Sequence, residues 1–214
     1  MKGKLICIIG PDGVGKSTQV NLLINNLKKS GKIFEYRWLR FHHLISIPIL
    51  GIARLFKLSE FKTLKDGSQI GYHYFGRSKL ISFIYSISLF LDTLIFTLIK
   101  VTIPITFLNK NLACDRFIYD TLVDLMISTG NYDIYNSMIG KLFLRLIPSN
   151  AKIFMILADE KTLKSRRNDV MYDKNITLKV HLYKKISEIF KISIINGKNS
   201  SEKINFEIMR LLNE

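Results

Sequence analysis

Apolar residues along this chain fall into two rhythms. Five runs have the length of strands, in chain order at 5–9, 32–37, 112–115, 153–157 and 192–195, four of them predominantly apolar and the second more mixed. The apolar runs lack the polar alternation of a sheet face open to water, which is the pattern of strands buried on both faces. Between them, apolar positions recur every three or four residues. Val20, Leu23, Ile24 and Leu27 do so after the first run, with Gly31 as a stop, and Ile204, Ile208, Leu211 and Leu212 do so at the end. That spacing predicts helices. Strands alternating with helices predict an α/β fold, a parallel sheet covered on both faces, with ligands at the carboxyl ends of its strands.

The stretch between the second and third runs reads as long and helical. Its segment 80–99, LISFIYSISLFLDTLIFTLI, carries one charge, Asp92. The length would span a bilayer, but one crossing would separate two motifs that have to meet. An internal helix facing a core and a substrate cleft is expected, with no membrane span. Peripheral membrane contact, helped by 43–57, stays open.

Composition adds little. The 214 residues predict a single domain over 1–214, without linker, low-complexity tract or internal repeat. Cys7 and Cys114 lie inside strand runs, so buried, reduced thiols are expected, not metal ligands, in a cytoplasmic setting. The first apolar run is too short for a secretory leader. The net charge of +15 is spread along the whole chain, so no nucleic-acid partner is expected; a positive field also suits phosphorylated substrates.

The chemistry concentrates after the first run. Gly10, Pro11, Asp12, Gly13, Val14, Gly15, Lys16, Ser17 and Thr18 meet the spacing G-x-x-x-x-G-K-[ST], between a strand and a helix. Such glycines let backbone N–H groups turn around phosphates, the lysine neutralises the outer phosphates and the hydroxyl holds Mg²⁺. Asp115 ends the third strand run and can be the second metal-side acid; Arg116 follows it. A motor ATPase would place a carboxylate there to orient water, whereas a kinase excludes water and steadies phosphates with cations. The guanine-reading N-K-x-D of a GTPase is missing, since Asn109-Lys110-Asn111 is followed by Leu112. Lys161, Lys164, Arg166, Arg167 and Lys174 form a basic segment after Ala158-Asp159-Glu160, predicted to close as a lid over about 160–175.

With these motifs the sequence resembles the thymidylate kinase family along essentially its full length. The loop is similar to G-x-D-G-x-G-K-[ST], Asp115-Arg116-Phe117 to D-R-[YF], Pro104 to a proline eleven residues upstream, 157–160 with Arg166-Arg167 to the lid entry, and Ile195-Asn196-Gly197 with Glu202 and Ile208 to the closing strand and helix. The resemblance implies a P-loop three-layer α/β/α fold with a parallel five-stranded sheet and a lid, a homodimer, and Mg-ATP-dependent phosphorylation of a nucleoside monophosphate, dTMP to dTDP. It implies that Lys16 and the loop amides hold ATP phosphates, that Ser17 and Asp115 serve Mg²⁺, and that Arg166 or Arg167 supplies lid charge. Asp12 would accept from the acceptor sugar, and Arg116 would hold the acceptor and transferring phosphates. Phe90 falls where a ring stacks on the acceptor base. The thymine-reading arginine is Leu94 here, the serine usual after D-R-[YF] is Asp120, and the segment gripping the acceptor phosphate is replaced by 36–43, with Arg37 or Arg40 left to do that work. An acceptor other than a nucleotide, lipid-linked or sugar phosphate, and a non-catalytic nucleotide-binding module are the other readings.

Overall fold

The structure is a computed structural model that describes residues 3–40, 43–64, 67 and 69–213. Strands β1 (Leu5–Ile9), β2 (Glu35–Trp38), β5 (Leu112–Asp115), β6 (Ala151–Leu157) and β7 (Ser193–Asn196) form one parallel sheet in the order β2-β5-β1-β6-β7. From β1 at the centre the chain goes to the edge at β2, returns to β5 between them and then crosses to β6 and β7 on the other side, so the carboxyl end of β1 lies at a switch point, where open α/β sheets bind ligands. Alternate residues of β1 point to opposite layers. Leu5, Cys7 and Ile9 join one apolar cluster, and Ile6 and Ile8 join the other.

The second cluster is covered by α1 (Lys16–Lys29) and, near the end of the chain, by α10 (Ser201–Asn213), through Val20, Leu23, Leu27, Ile204 and Ile208. The first is covered by α2 (Ile47–Leu55), α3 (Lys79–Thr97), α4 (Ile103–Thr106), α5 (Ile118–Thr129), α6 (Met138–Leu144) and α9 (Ile176–Phe190). Two short helices, α7 (Glu160–Arg166) and α8 (Asn168–Met171), occupy the predicted lid. The α/β/α architecture is therefore the one expected, and Cys7 and Cys114 are buried free thiols on paired strands.

Two features differ from expectation. The stretch between β2 and β5 contains an antiparallel hairpin, β3 (Ser59–Thr63) and β4 (Gln69–His73), where only helix was expected. Helix α3 is long and apolar enough to cross a membrane together with the turns after it, but it is internal on one face only. Its Asp92 is fully buried and accepts bonds from the backbone N–H groups of Leu44, Ile45 and Ser46 at 3.1, 2.7 and 3.0 Å and from the Ser46 hydroxyl at 2.6 Å. A single carboxylate thus satisfies three successive amides of the turn that leads into α2 and ties the N-cap residue Ser46 to α3.

Candidate active site

The loop from Gly10 to Gly15 links the central strand to α1, and its geometry needs glycine. Gly10 has φ 141° and a Cβ there would meet the Ile156 carbonyl; Gly13 has φ 82° and a Cβ would lie 3.2 Å from the Leu163 carbonyl oxygen in α7. The lid therefore rests directly on the loop. Val14 is buried in the apolar cluster beneath, which fixes the loop from below, while Thr18 is exposed on the first turn of α1. Lys16 reaches back across the loop, and its Nζ donates to the Pro11 carbonyl at 2.7 Å. Burial, reinforced by Arg116, pulls the Lys16 ammonium down to about 7, against the opposing pull of Asp12, Asp120 and Asp115.

Ser17 Oγ donates to Asp115 Oδ2, and Tyr36 donates to the same oxygen at 3.1 Å. The other oxygen, Asp115 Oδ1, is buried and has no hydrogen-bond partner among the described residues. An unpaired buried carboxylate oxygen is costly, and beside a serine hydroxyl at a phosphate loop it fits a hard, oxygen-seeking cation such as Mg²⁺. Burial and the Asp115 charge push the Tyr36 phenol up to about 12, so it stays a donor.

Three cations converge on Asp12, each held from behind by its own acid. Arg40 Nη1 donates to the two Asp12 oxygens at 2.9 and 3.1 Å, while its Nε and Nη2 bond Asp124 at 3.0 and 3.1 Å. Arg116 pairs with Asp12 through Nη2 and with Asp120 at 3.2 Å through Nη1. Lys179 of α9 lies 3.6 Å from Asp12 and 2.7 Å from Asp173. Burial alone would raise the Asp12 carboxyl, but Arg40, Arg116, Lys179 and Lys16 outweigh it and hold it well below its ordinary range. Asp120 is fully buried and also accepts from the Phe117 N–H at 3.0 Å and the Tyr183 hydroxyl at 2.7 Å; desolvation nonetheless raises its pKa. Arg116 has φ 72°, a left-handed backbone uncommon outside glycine and found where a site over-determines the chain.

Beside this cluster opens a cavity of about 590 Å³ between α2, the hairpin, α3, α5 and the start of α9. Arg40, Asp124, Asp173 and Lys179 form its charged end; Leu50, Phe61, Ile70, Leu89 and Phe96 are among its apolar walls. Arg54, His43, His73 and Thr93 are the polar groups spaced along it. Burial lowers the pKa of both histidines, which keeps them neutral at neutral pH.

The structure separates the expected site residues into two groups. Asp12, Lys16, Ser17, Asp115, Arg116 and Arg40 come together. Arg37 does not: it lies on the edge strand, paired with Glu35 at 2.5 Å. Phe90 does not line the cavity either; it packs edge-on against Phe143, ring centroids 5.4 Å apart. Leu94 is likewise absent from the lining, so its replacement of arginine falls outside the cavity. Within the lid, Arg167 approaches the loop at Gly13 but pairs with Asp169 at 2.6 Å, and Arg166 is exposed. Lys164 and Lys174 are bonded to Glu160 and Glu60. Of the segment 36–43, Phe41 and His42 lie outside the described residues. Lys179, Asp173, Tyr183 and Tyr36 were not anticipated. Asp120 and Asp124 carried a signal, two acids four apart on an otherwise apolar helix.

Fold and phosphate loop together define a P-loop α/β/α architecture. The chain has the fold of the thymidylate kinases: a thymidylate kinase from Ehrlichia chaffeensis is 19% identical over 99% of this chain and 100% of that one, with a TM-score of 0.56. The YorR protein of Bacillus subtilis, solved in complex with phosphorylated GDP, is 18% identical over 98% and 96%, with a TM-score of 0.55. No protein-family model and no curated protein matches the sequence.

Proposed function

We propose that the protein is an ATP-dependent phosphotransferase that moves the γ-phosphoryl of ATP onto the phosphate of a nucleoside monophosphate, with dTMP as the first acceptor. The observation that carries this reading is the placement of three backed cations between the phosphate loop and the mouth of an adjoining cavity. The loop amides and Lys16 hold the phosphates of ATP. Ser17 and Asp115 would hold Mg²⁺, which when bound would neutralise charge on the outer phosphates.

The chain's own groups do the remaining work by position and charge. Arg40 lines the cavity and also bonds Asp12 beside the loop, where Arg116 meets the same carboxylate, so the two align the acceptor phosphate with the transferring group and stabilise the charge that develops between them. Asp120 and Asp124 fix those guanidiniums, which cuts the reorganisation needed at the transition state. Asp12, ionised at any physiological pH, acts only as an acceptor and suits a sugar hydroxyl. Arg166 or Arg167 adds lid charge, and lid contact with the loop excludes water.

The apolar walls of the cavity favour one second reading, a phosphorylated acceptor that is not a nucleotide, such as a lipid-linked or sugar phosphate. One experiment tests both: ADP formation from ATP and Mg²⁺ against a panel of nucleoside monophosphates, phosphorylated sugars and phosphorylated lipids. Turnover with dTMP above the others supports the first reading. Turnover confined to lipid or sugar phosphates supports the second, and ATP binding without turnover on any acceptor contradicts both.

A further inference from the structure

The hairpin of β3 and β4 walls the cavity with Ser59, Phe61, Ile70 and His73, and it meets the charged end through Tyr72. This ring is 2% exposed and is not part of the lining. Its hydroxyl donates to the Tyr172 carbonyl and accepts from the Lys174 N–H, both at 3.2 Å. Those two groups flank Asp173, in the turn between α8 and α9. One phenol thus clamps the backbone on both sides of a single carboxylate. Asp173 is itself buried; its Oδ2 accepts from Lys179 Nζ at 2.7 Å and its Oδ1 from the Asn175 N–H at 2.9 Å.

Lys179 is the cation whose aim depends on this clamp. Arg40 and Arg116 bond Asp12 directly, whereas Lys179 stands 3.6 Å from it, beyond an ordinary hydrogen bond. An ammonium on a flexible four-carbon stem has no planar fork to fix its direction. The carboxylate it does bond, Asp173, therefore sets where it points. Burial would lower its pKa, but Asp12, Asp173 and Asp124 raise it overall, so it stays charged. Lys179 shares the charged end of the cavity with Arg40, and Asp173 takes one of its three N–H groups. The other two suit a phosphate oxygen entering from the cavity.

We propose, resting on the phosphoryl transfer assigned to this cavity, that Lys179 binds the acceptor phosphate and that Tyr72, acting through Asp173, is the residue that positions it. The hairpin then serves the reaction twice, as a wall for the acceptor and as the holder of the ammonium that meets its phosphate.

The test is steady-state turnover of ATP and dTMP by the full chain. Tyr72→Phe keeps the ring, with the Lys174 ammonium 4.9 Å from its centroid, and removes both bonds of the hydroxyl. KM for dTMP should rise about three- to tenfold while KM for ATP stays within about twofold. Asp173→Asn should give the same split, and it decides the matter if Tyr72→Phe does not fold. In Lys179→Met, whose own KM for dTMP is raised, adding Tyr72→Phe should change little, because the residue it positions is gone. Glu60→Gln weakens the exposed pairing of the hairpin with Lys174 and should match the parent. Parent KM values in Tyr72→Phe or Asp173→Asn, or an equal effect of Tyr72→Phe with and without Lys179, overturns the proposal. Hydrogen exchange separates that failure from failure of the transfer reading. With no substrate present, the Lys174 amide should exchange about tenfold faster in Tyr72→Phe, and an unchanged rate overturns the clamp whatever the parent turns over. A parent inert toward every acceptor overturns the transfer reading, and the role of Lys179 with it.

Discussion

Arg40 and Arg37 sit three residues apart, and the structure predicts opposite outcomes for removing them. The Arg40 side chain is 10% exposed and donates two hydrogen bonds to Asp124 and two to Asp12. Arg37 is one-third exposed and pairs with Glu35 on an edge strand. A hydrogen bond to a charged group contributes about 1.5–3 kcal/mol. If Arg40 makes one such bond to the acceptor phosphate in the transition state, Arg40→Met lowers kcat/KM for dTMP by about 10- to 150-fold. An exposed ion pair is worth about 0–1 kcal/mol, so Arg37→Met should stay within about fivefold of the parent. Arg40→Met also breaks a buried pair, which costs about 3 kcal/mol at the low end of the usual range because Asp12 keeps Arg116 and Lys179. For a chain of this size that is a fall in Tm of about 6–12 °C, so rates must be measured well below it. Steady-state ADP release, varying ATP and dTMP in turn, separates the effects: KM for dTMP should rise and KM for ATP should not. A larger loss in Arg37→Met than in Arg40→Met, or a change confined to KM for ATP, refutes the assignment.

Three further outcomes are expected. With Lys16 at about 7 in the free loop, it is mostly neutral at pH 8, and the phosphates of ATP restore its charge; calorimetry in buffers of different ionisation enthalpy should record uptake of nearly one proton at pH 8 and little at pH 6, whereas no uptake at pH 8 contradicts the assignment. Asp92→Ala removes the acceptor of three backbone amides and a hydroxyl, costing about 2 kcal/mol and lowering Tm by about 4–8 °C at neutral pH. Burial alone would raise the Asp92 carboxyl, but the Ser46 hydroxyl and the amides of Ile45, Leu44 and Ser46 lower it overall. The parent's advantage is therefore present above the ordinary carboxylate pKa, and thermal melts should show it shrinking as pH falls through the lowered value. Gly13→Ala forces a side chain into a left-handed position and against Leu163, costing about 1–2 kcal/mol; the lid should lift, raising KM for ATP, and a parent-like KM would show that lid and loop are not coupled.

Much of the fold was legible because it rests on local pattern. The third strand run coincides with β5, and the first with β1, since both are buried on two faces and read as unbroken apolar runs. The hairpin was not legible: β3 offers one apolar side chain, Phe61, and β4 only two, Ile70 and Tyr72, too few for a period to be read. Helix α3 shows the same limit in another form. It is apolar all round, so its rotational phase cannot be read, and Phe90 turns toward Phe143 while the neighbouring Leu89 faces the cavity. Motif spacing located Asp12, Lys16, Ser17, Asp115 and Arg116. Asp120 and Asp124 stood out locally as two acids four apart, but which cation each backs, and the place of Lys179 and Asp173, depend on contacts between residues far apart in sequence, such as Arg40 with Asp124.

The central claim is phosphoryl transfer at the phosphate loop onto an acceptor in the adjoining cavity. The most direct test is ³¹P NMR of the full chain incubated with ATP, Mg²⁺ and dTMP. ADP and dTDP should accumulate in equal amounts, and both should be lost in a Lys16→Ala protein that keeps its thermal melt, because removing the cation that holds the outer phosphates takes several kcal/mol from the transition state. Equal turnover in folded Lys16→Ala, or ADP and free phosphate with no phosphorylated acceptor, would contradict it.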